Sequence, residues 1–317
     1  MSFWGKIWIR VEAVLKAALG LVFFLCIDYA VLYSFFFFKI DTRVYRGITN
    51  LSVTIVTITI MLVINKVSST KEDPLFRMEK LTPDQIASLV MISVGMLGFV
   101  TLYITMADRI SEYLESLKEA VEEYRESVDR FSDVPQVAVP VWDQILYVIN
   151  LCFIVPVAEE MTFRGVVFGQ LRKGFRPWFA VVLSATIFGL FHGISVHIGY
   201  AIACGIIIAA CYYLTDSLVA PVIIHMVFNI LGSGLANFMR IDGLNIPSEA
   251  TSAMMTGINT TSLIFMPVAA IAIAYLVSVR RGRILAAAKN EIKEESEDGP
   301  TAENSEESGT DGIEAPQ

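Results

Sequence analysis

The chain has 317 residues, 55% of them hydrophobic, and a formal charge of −8, with a mean hydropathy of +0.59. Globular domains run about 45–50% apolar, so the composition excludes a soluble domain with an ordinary core and points to a polytopic membrane protein. The acidity is local, since residues 289–317 hold ten acids against Lys289 and Lys293 and the remainder balances, which leaves no basic surface for nucleic acid.

Lys6, Arg10 and Lys16 precede a first apolar run, Ala17–Phe38, long enough to span a bilayer core of about 30 Å. Asp28 interrupts it, as a buried polar contact or an exception without effect on topology. Further spans are expected at Ile48–Ile64 and Ile86–Ala107; in the latter, Gly95-Met96-Leu97-Gly98 predicts close packing on a neighbour. The four cysteines sit in apolar runs without C-x-x-C spacing and read as small buried hydrophobes.

Residues 108–133 differ in kind. Ile110, Leu114, Leu117, Val121, Tyr124, Val128 and Phe131 alternate spacings of four and three, the narrow seam of a coiled coil, and the other faces carry nine acids and four bases. An amphipathic heptad helix outside the membrane is expected over 108–135, ended by Pro135 and Pro140. Its seam either packs on the protein's own loops or forms a homodimer. Five more spans follow, at about 145–171, 178–191, 198–214, 218–238 and 262–279.

The expected architecture is therefore all-α, with about eight transmembrane helices. Residues 1–107 supply helices one to three, 108–135 the heptad helix, 143–283 the remaining membrane core, and 284–317 a disordered acidic tail. The positive-inside rule puts the N-terminus, the 65–85 loop, the 172–177 turn and the C-terminus in the cytoplasm. The localisation expected is an integral membrane protein, of the plasma membrane in a prokaryote.

Three polar constellations lie inside the apolar spans: Glu159-Glu160-x-x-x-Arg164, Phe188-x-x-x-His192 and His225-x-x-x-Asn229. A charge at the bilayer centre costs about 2.5–3.5 kcal/mol on insertion scales, so three ionisable groups within six residues call for a function. Glu160 and Arg164 are four apart and can pair on one helix face. Glu159 points about 100° away, free to face a cavity. Phe188 lies one turn from His192 and can hold its ring. Counted from the adjacent cytoplasmic turns, Glu159 and His192 lie roughly 20 Å deep and His225 roughly 15 Å at 1.5 Å per residue. Pro156 and Pro221 stand three and four residues before the motifs and can kink their helices.

This set fits peptide hydrolysis within the membrane. A carboxylate serves as general base toward water; Glu159 is the choice for that role. Glu160, tied to Arg164, holds the water or the geometry. His192 orients the water or Glu159, or protonates the leaving amine, while His225 and Asn229 donate to the oxyanion. The same side chains allow a divalent metal such as zinc held by Glu159, His192 and His225, although the His-Glu-x-x-His spacing is absent. A serine protease order fails because no histidine follows Ser233, and the Gly-x-Gly-Asp of a presenilin-like aspartyl site is also missing. His197 reads as structural or interfacial.

The three motifs, in this order over residues 145–230, resemble those of the type II CAAX prenyl endopeptidase and bacteriocin-processing family, the Abi-type membrane proteases. The resemblance implies an eight-helix membrane protease that activates water with a glutamate, in a family also described as metal-dependent. Glu159, Glu160, Arg164, Phe188, His192, His225 and Asn229 all match the family pattern. It implies a membrane-embedded or lipidated protein or peptide cut near its C-terminus, as in CAAX processing or bacteriocin maturation and immunity. The alternative is a non-catalytic immunity or scaffold protein that binds a partner through the 108–133 helix.

Overall fold

A computed structural model describes residues 2–132, 138–193 and 195–297. Among them the chain is all-α. The helices are α1 (Phe3–Phe37), α2 (Arg46–Ser68), α3 (Pro83–Ser111), α4 (Glu115–Ser132), α5 (Val141–Gly174), α6 (Pro177–Leu190), α7 (Ser195–Thr215), α8 (Val219–Met239) and α9 (Ser248–Glu297). Residues 1–277 form one compact unit and 278–317 a second. All except α4 and α6 are long and apolar enough to cross a membrane. This is an integral membrane protein.

The fifth expected span, 178–191, is too short to cross on its own. α6 has 14 residues, about 21 Å of helix against a core of about 30 Å. It starts on Pro177, whose missing N–H costs nothing at a helix start. It ends in a turn where His192 N–H bonds the Gly189 carbonyl at 3.0 Å. Gly193 follows with φ +74°, a left-handed conformation that glycine adopts without steric cost.

α1 begins fourteen residues before the expected Ala17. Ser2 caps it through Gly5 N–H, and Lys16 pairs with Glu12 one turn away at 2.6 Å. α3 begins with a reciprocal capping box between Thr82 and Gln85 and Pro83 in its first turn. The expected close packing of Gly95 and Gly98 is present: a Cβ on Gly95 would strike Ala269, and one on Gly98 would strike the Ser262 carbonyl of α9. α2 is started from another helix, as the buried Asp143 carboxylate accepts Gly47 N–H at 2.7 Å and Ile48 N–H at 2.9 Å. Cys152, Cys204 and Cys211 are buried as expected, but Cys26 is exposed on the outer side of α1.

The heptad segment is not one helix. Ile110 lies in the last turn of α3, which ends at Ser111; residues 112–114 turn, and α4 starts at Glu115. The seven-residue spacing runs unbroken through that turn, but only its part on α4 is packed. Leu117, Val121 and Tyr124 pack with Tyr103, Ala107 and Val196 of the same chain, whereas Ile110 and Leu114 remain exposed. The side chains of Val128 and Phe131, and the whole of Pro135, lie outside the described residues. Burial raises the pKa of the Tyr124 phenol, so its hydroxyl stays protonated beside Tyr200.

Residues 284–297, expected to be disordered, are helical as the last part of α9. Ala286, Ala287 and Ala288, followed by Lys and Glu, are strong helix formers. The rest of the acidic tail, 298–317, lies outside the described residues.

Candidate active site

α5 and α8 carry the site, and both depart from regular α-helix there. Three widened π-helical stretches, Asn150–Ile154, Met161–Phe168 and Ile230–Gly234, adjoin the motifs. The first stands before Pro156, where Val155 N–H bonds the Asn150 carbonyl five residues back. The second follows Glu160 directly and contains Arg164. The third follows Asn229. Single widened turns of this kind are frequent at functional sites.

Glu160 and Arg164 pair as their spacing requires, with Nη1 2.9 Å from Oε1 and both side chains wholly buried. The same Oε1 accepts a second bond from His225 Nδ1 at 2.7 Å. A histidine held by a carboxylate at one nitrogen presents the other in a fixed direction. Here His225 Nε2 lies 3.8 Å from Oε2 of Glu159. Glu160 is sealed, whereas Glu159 keeps 26% of its side chain exposed. The two adjacent carboxylates therefore sit on either side of one imidazole, one locked and one accessible. Glu160 Oε2 and Arg164 Nε have no partner among the described residues.

Phe188 connects the remaining members. The Arg164 guanidinium lies over its ring at 4.3 Å, a cation–π contact of about 2 kcal/mol when desolvated. Its edge meets His192 at 4.5 Å, Phe163 at 5.1 Å and His225 at 6.2 Å between ring centroids. His192, half-buried, bonds the Phe188 carbonyl through Nδ1 at 2.9 Å. It thus joins the cluster through Phe188. Asn229 Nδ2 donates to the Leu151 carbonyl at 3.0 Å, inside the first widened stretch. One of its two N–H groups, expected to face the oxyanion, is committed there.

Two residues belong to this neighbourhood that the motifs do not name. His197 lies 4.7 Å from His192 and stacks on Tyr200 at 4.7 Å, which in turn meets Tyr124 of α4 edge-on at 6.4 Å. Its five-residue distance from His192 was the available signal. The other is Asp28. α1 runs antiparallel to α5 in a clear register: Ala13 meets Gly174 and Gly20 meets Val166, and Phe24 packs edge-on against Phe163 at 5.8 Å. One turn further, Asp28 arrives within electrostatic reach of Glu159. The lone charge in the apolar run Ala17–Phe38 was visible, but its neighbour was not.

The metal set Glu159, His192 and His225 does not gather as placed. Among the described residues no three His, Cys, Asp or Glu side chains converge to hold a metal ion. The Nδ1 bonds of His225 to Glu160 and of His192 to a backbone carbonyl fix the direction of each Nε2. No step below passes through a metal.

Residues 141–231 match the family model described as Type II CAAX prenyl endopeptidase Rce1-like. This segment is similar to the Rce1-like family. It contains every motif residue named above, whereas Asp28 and α4 fall outside it. The chain is also 27% identical over 134 residues to "Putative membrane peptidase YdiL" of Bacillus subtilis (strain 168). That match covers 42% of this chain and 55% of the relative, so the chain spans about half the length of the curated relative it matches. No solved structure matches.

Proposed function

We propose that the protein is an intramembrane endopeptidase that cuts a membrane-anchored protein or peptide near its C-terminus, using water activated by Glu159. The observation that carries this reading is the pair of adjacent carboxylates divided by environment around His225, with Glu160 locked by Arg164 and Glu159 accessible. The match of residues 141–231 to the Rce1-like family supports it.

In the proposed reaction Glu159 takes a proton from water as its oxygen attacks the scissile carbonyl carbon. The carbonyl becomes an oxyanion, which accepts a hydrogen bond from Nε2–H of His225 in its imidazolium form. Glu160 holds Nδ1–H and so fixes the direction of that donor. Collapse breaks the C–N bond and expels the amine, which receives the proton carried by Glu159, directly or by way of His192. Phe188 holds His192, and Asn229 sets the spacing of α8 and α5 through Leu151. Oriented donors in a water-poor site are worth about 10²–10³ in rate each, and a positioned base about 10²–10⁴.

The test is Glu159→Gln in purified protein against a fluorogenic library of C-terminal peptides, prenylated and unprenylated. Wild type is expected to cleave, and the variant to lose about 10²–10⁴ in rate with an unchanged melting temperature. Equal cleavage by the variant would overturn the role of Glu159. No cleavage by wild type, with partner capture intact, would favour the non-catalytic scaffold.

A further inference from the structure

We propose that the protein binds a phosphoryl anion, as an anionic lipid headgroup or as free phosphate, in a cavity at the end of the bundle opposite α4. The proposal is independent of the peptidase reading. The cavity, of about 100 Å³, opens between Arg77, Arg172, Asp216, Tyr212 and Tyr213. Arg172 lies twelve residues beyond Glu160 on α5, about 18 Å along the helix, so this is a separate site.

Charge decides the class of ligand. Arg77 Nη1 is paired with Asp216 Oδ1 at 2.7 Å, which leaves the lining with two guanidiniums and one carboxylate. Arg172 also approaches Asp73, outside the lining, at 3.6 Å, and Asp73 is shared with Lys173 at 3.2 Å. Three cations thus face two carboxylates. The Arg172 side chain is only 9% exposed. It is anchored by Nη2 on the Pro74 carbonyl at 2.6 Å, while its Nε has no partner among the described residues. A buried guanidinium with incomplete partners is costly, and a doubly bonding oxyanion is the ligand its fork suits.

The frame is built in advance. Leu218 N–H bonds the Arg77 carbonyl at 2.8 Å and Glu79 N–H the Asp216 carbonyl at 3.1 Å. The Tyr212 hydroxyl accepts Arg77 N–H at 3.0 Å. Asp216 itself is held in the left-handed region at φ +52°. Loop and helix turn are thus tied before any ligand arrives, which lowers the ordering cost of binding.

Position favours a membrane lipid as one source. Phe168 and Pro177 add apolar wall to the cavity, and Trp178, next in the chain, is 64% exposed, as an interfacial anchor would be. The 65–85 loop and the 172–177 turn supply the basic residues that the positive-inside rule assigns to the cytoplasm. Basic pockets between transmembrane helices on that side recognise phosphate headgroups.

The experiment uses delipidated full-length protein in neutral detergent. Its melting temperature is followed while phosphatidylglycerol, phosphatidylcholine or inorganic phosphate is added, for wild type, Arg77→Gln and Arg172→Gln. A saturable rise with phosphatidylglycerol alone supports the lipid source. A rise with inorganic phosphate as well supports a free-phosphate site. In either case the half-saturating concentration should increase about tenfold or more in the folded variants. No rise with either anion in wild type, or an equal rise in wild type and Arg77→Gln, would overturn the proposal. Both results stand even where Arg172→Gln fails to fold.

Discussion

His225 and Glu160 are joined through Nδ1 and Oε1 at 2.7 Å, on the same oxygen that receives Arg164 at 2.9 Å. One wholly buried carboxylate oxygen therefore fastens α8 to α5 and balances the arginine at once. Glu160→Gln should damage stability and rate together. It leaves the Arg164 charge uncompensated, a loss of about 3–5 kcal/mol, and releases the imidazole. Glu160→Gln combined with Arg164→Met removes the orphan charge and should recover much of the melting temperature in detergent while the peptidase rate stays low. Recovery of both would show that the carboxylate only balances charge.

Asp28 offers the opposite combination. A carboxylate within an apolar span carries an insertion cost of about 2.5–3.5 kcal/mol, and this one lies within electrostatic reach of Glu159. Asp28→Leu is expected to keep or raise the melting temperature and to lower the peptidase rate, the exchange of stability for function seen at active sites. A variant with unchanged rate would make Asp28 a bystander.

α4 is held by few residues, and Val121, 4% exposed, is central to them. Val121→Asp should free the helix from Tyr103 and Val196 while the membrane core persists. Limited proteolysis is the direct measure, with new cleavage between 112 and 132. Because Tyr124 meets Tyr200 and His197, and His197 meets His192, the variant should also lower the peptidase rate. Cleavage without a rate change would separate α4 from the site.

What the sequence revealed follows the range of each interaction. Glu160 with Arg164, and Phe188 with His192, are one helical turn apart, so their spacing alone placed them together. The bond from His225 to Glu160 crosses 65 positions, and that from Asn229 to Leu151 crosses 78; the matched depths of the motifs brought them near but carried no partner identity. The break at residues 112–114 was hidden because the heptad spacing continues through it. The short α6 was hidden because apolar residues continue past its end. Asp28 was legible as a charge, yet its neighbour depended on the register of α1 against α5, which Gly20 at Val166 sets.

The widened stretches at Asn150–Ile154, Met161–Phe168 and Ile230–Gly234 have a further consequence for how this segment tolerates change. Each inserts extra backbone into a helical turn, and one residue more or less rotates everything beyond it by about 100°. Substitutions within them leave the rotation intact. A single deletion would turn Glu159 and Glu160 away from His225 or swing Arg172 off its loop, even with every motif residue retained. In this protein the phase of the helix is inherited along with its letters, and aligned relatives should differ here by exchange far more readily than by gaps.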